Sequence, residues 1–110
     1  MKLENADLSS LFSNTLIPDI FFSEYLSEAS GDFIKVYLYM VFLSKHDKDI
    51  KINDLSKKLV LPVKTIQDAV KYWEEQGLLT RKNTGYIVNS IQEIELHKLY
   101  KPKTAHGIQK

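Results

Sequence analysis

At 110 residues the chain has the length of one domain, small but able to enclose a core. With 44% hydrophobic and 26% charged residues its composition is that of an ordinary soluble globular protein, and no apolar run is long enough to cross a bilayer. A formal net charge of +1 excludes a strongly polyanion-binding composition, and the absence of cysteine excludes disulfides and thiolate metal sites.

The charge is unevenly spread. Residues 1–32 hold Lys2 against Glu4, Asp7, Asp19, Glu24, Glu28 and Asp32, a net −5, which leaves +6 for residues 33–110. Such a split either steers head-to-tail contacts between copies or, more ordinarily, marks solvated faces. Met1-Lys2-Leu3-Glu4 has no apolar signal-peptide core, so a cytoplasmic protein is expected.

Residues 1–14 show no periodicity and are read as a flexible N-terminus. Thr15-Leu16-Ile17 reads as an arm or strand ended by Pro18. Ile20, Phe21, Phe22, Tyr25 and Leu26 recur at helical spacing and predict a helix from Asp19 to Glu28, stopped by Ala29-Ser30-Gly31. Phe33 to Ser44 is the longest apolar run. A helix apolar nearly all round is buried on most sides, either by its own chain or partly in a subunit interface. Ile50-Lys51-Ile52 alternates and is expected to pair with a later hairpin as a short strand.

Leu61 to Lys82 carries the most information. Asn53 is placed to cap a short helix over Asp54–Leu59, with Leu55 and Leu59 inward. Leu61-Pro62 breaks that helix, because the residue before a proline is pushed out of the α region. Pro62 suits the first turn of a second helix, in which Ile66, Ala69, Val70 and Trp73 share one face. Trp73 is therefore a core residue and Tyr72 a boundary one. Gly77 is placed for a left-handed cap. Leu78–Lys82 and Tyr86–Asn89 then read as two strands about an Asn83-Thr84-Gly85 turn. Ser90, three residues before Glu93, predicts a last helix over Ser90–Tyr100. Lys101 to Lys110 reads as a disordered basic tail.

Helix, break, helix, hairpin is the order of a winged helix-turn-helix. The expected fold is mostly α with a small β-hairpin, a winged helix-turn-helix with an extra N-terminal helix, over residues 15–100. Nucleotide-binding, metalloprotease and serine-hydrolase motifs are all missing, and His46, His97 and His106 have no ligand-spaced partners. No catalytic, cofactor-binding or metal residue is assigned, and no enzyme activity is expected.

In DNA-binding winged helices the second helix enters the major groove. Here its outer face offers Lys64, Thr65, Gln67, Asp68 and Lys71, with Arg81 and Lys82 in the wing for phosphate. Over Lys64–Glu75, however, two lysines face three carboxylates, whereas a helix competing for phosphate carries a positive balance. The residues alone leave DNA reading and protein docking evenly open.

Ile17-Pro18, Phe22, Tyr25-Leu26, Ala29, Gly31 and Phe33-Ile34-Lys35-Val36-Tyr37-Leu38-Tyr39 resemble the opening of DnaD-like replication initiation proteins. Tyr72-Trp73-Glu74-Glu75-Gln76-Gly77-Leu78-Leu79 resembles the segment that closes their helix-turn-helix. The resemblance spans about Thr15 to Val88. It implies a primosome component whose amino-terminal winged helix associates with itself and docks the replication initiator or other primosome proteins. In that family a separate carboxyl-terminal domain with a Tyr-x-x-x-Ile-x-x-Trp signature binds and remodels DNA. The signature is absent here, so the chain reads as an amino-terminal domain or a short relative, with weak DNA binding and no membrane contact.

Two readings follow. In the first, the chain is a self-association and docking module of replication initiation. Its self-association residues are then Leu16, Ile17, Phe21, Phe22, Tyr25, Leu79, Tyr86 and Ile87, partly because wing edge strands offer unpaired backbone groups. In the second, it is a winged-helix transcriptional regulator that contacts DNA through Lys64, Gln67, Lys71, Arg81 and Lys82.

Overall fold

A computed structural model describes residues 1–4, 13–46 and 48–100. The expected basic tail and most of the expected flexible N-terminus lie outside the described residues.

The first helix, α1, spans Asp19–Glu24 behind Pro18, with Asp19 favourably placed in its first turn. It stops sooner than the apolar spacing predicts. Tyr25 leaves the helical region at φ −120°, and a 3-10 turn, Leu26–Glu28, replaces the expected last turn. That departure turns the Tyr25 ring onto Phe21, nearly parallel at 6.2 Å between centroids.

The next helix, α2, runs Gly31–Lys45, and Ser30 caps it by accepting a hydrogen bond from the Phe33 N–H. The chain by itself covers most of its apolar length, with Phe33, Ile34, Tyr39, Met40 and Val41 half-buried against the core, but leaves one face open. Val36 and Tyr37 are buried, whereas Leu38 and Phe42 stay 38% and 39% exposed. Burial raises the Tyr37 phenol to about 12.

The short helix α3 covers Ile52–Leu59 and α4 covers Val63–Glu75. Two expectations change here. Asn53 is not the cap, because helical geometry already begins at Ile52 with Lys51 in the cap position. Ile52 is thereby drawn into α3, and the expected Ile50–Ile52 strand does not form. Asp54 in the first turn and Lys57 and Lys58 in the last complement the α3 dipole and favour the helix over a strand. The helix-turn-helix break falls at Val60, which is left-handed at φ 57°. The Leu61 N–H donates across it to the Ser56 carbonyl, and the Ser56 hydroxyl donates back to the Leu61 carbonyl.

As predicted, α4 buries Ile66, Ala69, Val70 and Trp73. Trp73 is fully enclosed, at 5.0 Å from the Tyr37 ring and 6.0 Å from Phe21, and its indole N–H donates to the Phe33 carbonyl at 2.7 Å. Gly77 ends α4 in the left-handed region at φ 87°. The Leu78 N–H bonds the Trp73 carbonyl and the Gly77 N–H the Glu74 carbonyl, a Schellman cap with Leu78 buried against the core.

Two antiparallel strands follow, β1 (Leu79–Lys82) and β2 (Gly85–Val88), in the register Leu79↔Val88 to Lys82↔Gly85. The turn holds two residues, Asn83-Thr84, because Gly85 pairs with Lys82 and does not belong to the loop. Asn89 anchors the wing by donating to the Gly77 carbonyl and the Thr80 hydroxyl. The last helix, α5, spans Ile91–Tyr100, and the Ser90 hydroxyl accepts from the Glu93 N–H as expected. Among the described residues, no helix is long and apolar enough to cross a membrane. The fold is mostly α with a small β-hairpin, and its order is that of a winged helix-turn-helix with an extra N-terminal helix.

Two stability measurements check this account. Trp73→Ala empties the centre of the core and should cost about 3–5 kcal/mol in urea unfolding, while a loss below about 1 kcal/mol would place the indole elsewhere. Gly77→Ala meets no neighbour within 4 Å but must hold a positive φ, so the expected cost is about 1–2 kcal/mol, from the backbone alone. Gly31→Ala, free of that constraint, should be near neutral.

Candidate interaction surfaces

The exposed face of α4 carries Lys64, Gln67, Asp68 and Lys71. Lys64 and Asp68, one turn apart, form an ion pair at 2.9 Å. In the wing, Arg81 reaches back to α4 and donates two hydrogen bonds to the Glu74 carboxylate, at 3.0 and 3.2 Å, while its guanidinium lies 5.4 Å from the Tyr86 ring. The hydrogen bonds to Glu74 hold the guanidinium pKa above its ordinary value. Of the residues expected to meet DNA, Lys64 and Arg81 are thus answered by carboxylates of the same surface. Gln67, Lys71 and Lys82 are exposed and form no ion pair among the described residues.

The expected self-association residues divide by burial. Phe21, Tyr25 and Leu79 are 0%, 6% and 3% exposed. This corrects their assignment to a contact surface: Phe21 and Tyr25 stack in the aromatic core, and Leu79 closes the base of the wing. Ile17 is half-buried against that core. Leu16, Phe22, Tyr86 and Ile87 remain on the surface, with Leu16 82% and Phe22 53% exposed. Leu38 and Phe42 of α2 join them. The apolar run announced a helix there, but all-round apolarity carries no phase and did not show which face stays open.

One cluster gave no sequence signal. The Tyr25 hydroxyl donates to the Glu95 carboxylate at 2.5 Å, and Lys98 pairs with the same carboxylate at 2.9 Å while lying 5.5 Å from the Tyr25 ring. Seventy residues separate Tyr25 from Glu95. The cluster fastens α5 to α1. Hydrogen bonds from Tyr25 and then Lys98 hold the Glu95 carboxyl below its ordinary pKa. Burial first, and then the bond to Glu95, raise the Tyr25 phenol.

Among the described residues, no group of three or more His, Cys, Asp or Glu side chains is placed to hold a metal ion. The chain matches no protein-family model, no curated protein and no solved structure.

The Glu95 cluster predicts an acid dependence. The carboxyl is depressed in the folded state, so its contribution to stability is present above the ordinary carboxylate range and is lost as pH falls through the folded pKa. Between about pH 5 and 3, the unfolding free energy of the native chain should fall more steeply than that of Glu95→Gln. Equal slopes in denaturant titrations would show that Tyr25 and Lys98 do not hold this charge.

Proposed function

We propose that this chain is a self-association and protein-docking module, of the kind that the resemblance to DnaD-like replication initiation proteins implies. Its partners are then a second copy of itself and an initiator or other primosome protein, in the cytoplasm. The observation that carries the reading is the open face of α2, where Leu38 and Phe42 stay more than a third exposed on a helix of core-like composition. Leu16, Phe22, Tyr86 and Ile87 add exposed apolar side chains on other elements. Apolar side chains left open in this number mark contact surfaces when they are contiguous.

The electrostatics point the same way. A major-groove helix gains affinity by releasing counterions from phosphates it neutralises. Lys64 and Arg81 are already neutralised by Asp68 and Glu74, so meeting phosphate requires breaking those pairs. The free side chains of Gln67, Lys71 and Lys82 support the second reading, a DNA-binding winged-helix regulator.

Sedimentation velocity over a series reaching high micromolar protein, with and without a short duplex at low salt, separates the two. The expected result is a species that grows with protein concentration and ignores the duplex. A chain that stays monomeric throughout overturns self-association. A shift seen only with DNA transfers the function to Lys64, Gln67, Lys71, Arg81 and Lys82.

A further inference from the structure

Two surfaces, one around Tyr86 and one around Phe22, differ in shape and charge. One is a groove between the C-terminal turn of α2, the segment leading into α3, and β2. Met40, Leu43, Ile50, Ile52, Tyr86 and Val88 line it, and its volume is about 220 Å³. Ile50, Ile52 and Tyr86 are each more than a third exposed, so the groove is an open apolar seat. Lys48 and Asp49 are the charged residues on its lining. Lys51 stands between the lining residues Ile50 and Ile52, and Lys82 is the strand partner of the lining residue Gly85, so the segments that form the groove carry Lys48, Lys51 and Lys82 against Asp49 among the described residues. Its β2 wall is a strand edge with no partner in the two-stranded sheet.

The other surface precedes α2. Phe22 projects from α1, edge-on to Phe21 at 5.7 Å and more than half exposed, with Leu26 exposed beside it in sequence. The carboxylates around it in the chain are Asp19, Glu24, Glu28 and Asp32, and none forms an ion pair among the described residues. Glu28 and Asp32 flank the start of α2, whereas Lys48 and Lys51 follow its end. Along the chain, the 15-residue α2, about 22 Å long, stands between these two sets of charges.

We propose that Phe22 of one copy seats in this groove of a second copy, with Glu24 and Glu28 facing Lys48 and Lys51. The inference rests on the self-association reading and assigns that contact to these two surfaces and not to the open face of α2. A cavity of about 150 Å³ is enough for a benzene ring, so the groove has room for a phenyl group. The apolar seat holds the contact. The exposed charges contribute little strength each, but they choose the orientation and make association sensitive to salt. Because the surfaces are different, a single contact leaves a free projection on one copy and a free groove on the other; association then either closes reciprocally as a two-fold pair or grows head to tail until a ring closes.

Sedimentation velocity on the native chain and two variants tests this. Phe22→Glu removes the projection and Ile50→Glu blocks the groove. Both positions are more than a third exposed, and far-UV circular dichroism with Trp73 fluorescence checks that each variant folds. The native chain should associate as its concentration rises, and about tenfold more weakly when salt rises from about 0.05 to 0.5 M. Each variant alone should stay monomeric, while an equimolar mixture, which retains one intact projection and one intact groove, should form a heterodimer and nothing larger. As a second pair, Glu24→Lys/Glu28→Lys and Lys48→Glu/Lys51→Glu should each associate weakly alone and recover when mixed. Variants that associate like the native chain overturn the proposal, as does a mixture that stays monomeric. A native dimer that stops at two and ignores salt overturns it while leaving self-association standing, and a monomeric native chain overturns both.

Discussion

The packing of α2 on α4 through Trp73 is the contact on which the rest of the fold depends. The indole is the largest fully buried side chain, and its one polar atom reaches the Phe33 carbonyl in the first turn of α2. Burying an indole without a partner for its N–H costs free energy, and here the partner is a backbone group on the facing helix. The bond therefore fixes the register of α2 along α4. Phe21 and Tyr37 close around the ring, which brings α1 into the same cluster. A small domain has few layers in which to bury anything, so one aromatic centre touching three helices carries a large share of its core.

From that centre the chain leaves in two left-handed turns. Gly77 reverses the backbone so that Leu78 enters the core and β1 starts back along α4, which is what brings Arg81 within reach of Glu74. Val60 makes the matching reversal between α3 and α4 with a β-branched residue, for which a positive φ is unfavourable. Its flanking hydrogen bonds, between Ser56 and Leu61 in both directions, supply what the residue type does not. The helix-turn-helix angle is thus held by local hydrogen bonding, while its inner face is held by Leu55, Leu59 and Ile66 in the core.

How far the sequence reveals this follows from which signals are periodic or local. The four buried positions of α4 recur at the helical period between a proline and a glycine, so both its limits and its inward face were legible. Ser30 and Ser90 show how differently two similar caps read: Ser90 has Glu93 behind it and reads as a cap, whereas Ser30 lies inside Ala29-Ser30-Gly31, which reads as a stop. Phe21 and Phe22 are adjacent and about 100° apart on a helix, and apolar residues on both sides gave no reason to choose the buried one. The fate of Ile50–Ile52 hung on three residues, too few for alternation to outweigh the helix that Asp54, Lys57 and Lys58 support. The Tyr25–Glu95 bond links residues from opposite ends of the domain, and single-sequence spacing has no access to such a pair.

The surface follows a consistent division of charge. On α4 and the wing, Lys64 and Arg81 meet carboxylates of the same chain at helical spacing or across the helix–strand turn, and Lys98 is answered in the same way on α5, whereas Lys71 and Lys82 have no such partner among the described residues. Around α1 and the start of α2, Asp19, Glu24, Glu28 and Asp32 have no such answer among the described residues. Nothing in the packing of α1 pairs these four carboxylates. An opposite charge on another molecule can meet them without breaking an ion pair of this chain. The net charge of +1 conceals this arrangement. What distinguishes the two ends of α2 is the sign of the charges left unanswered beside them among the described residues: Glu28 and Asp32 at the start, Lys48 and Lys51 against Asp49 after the end.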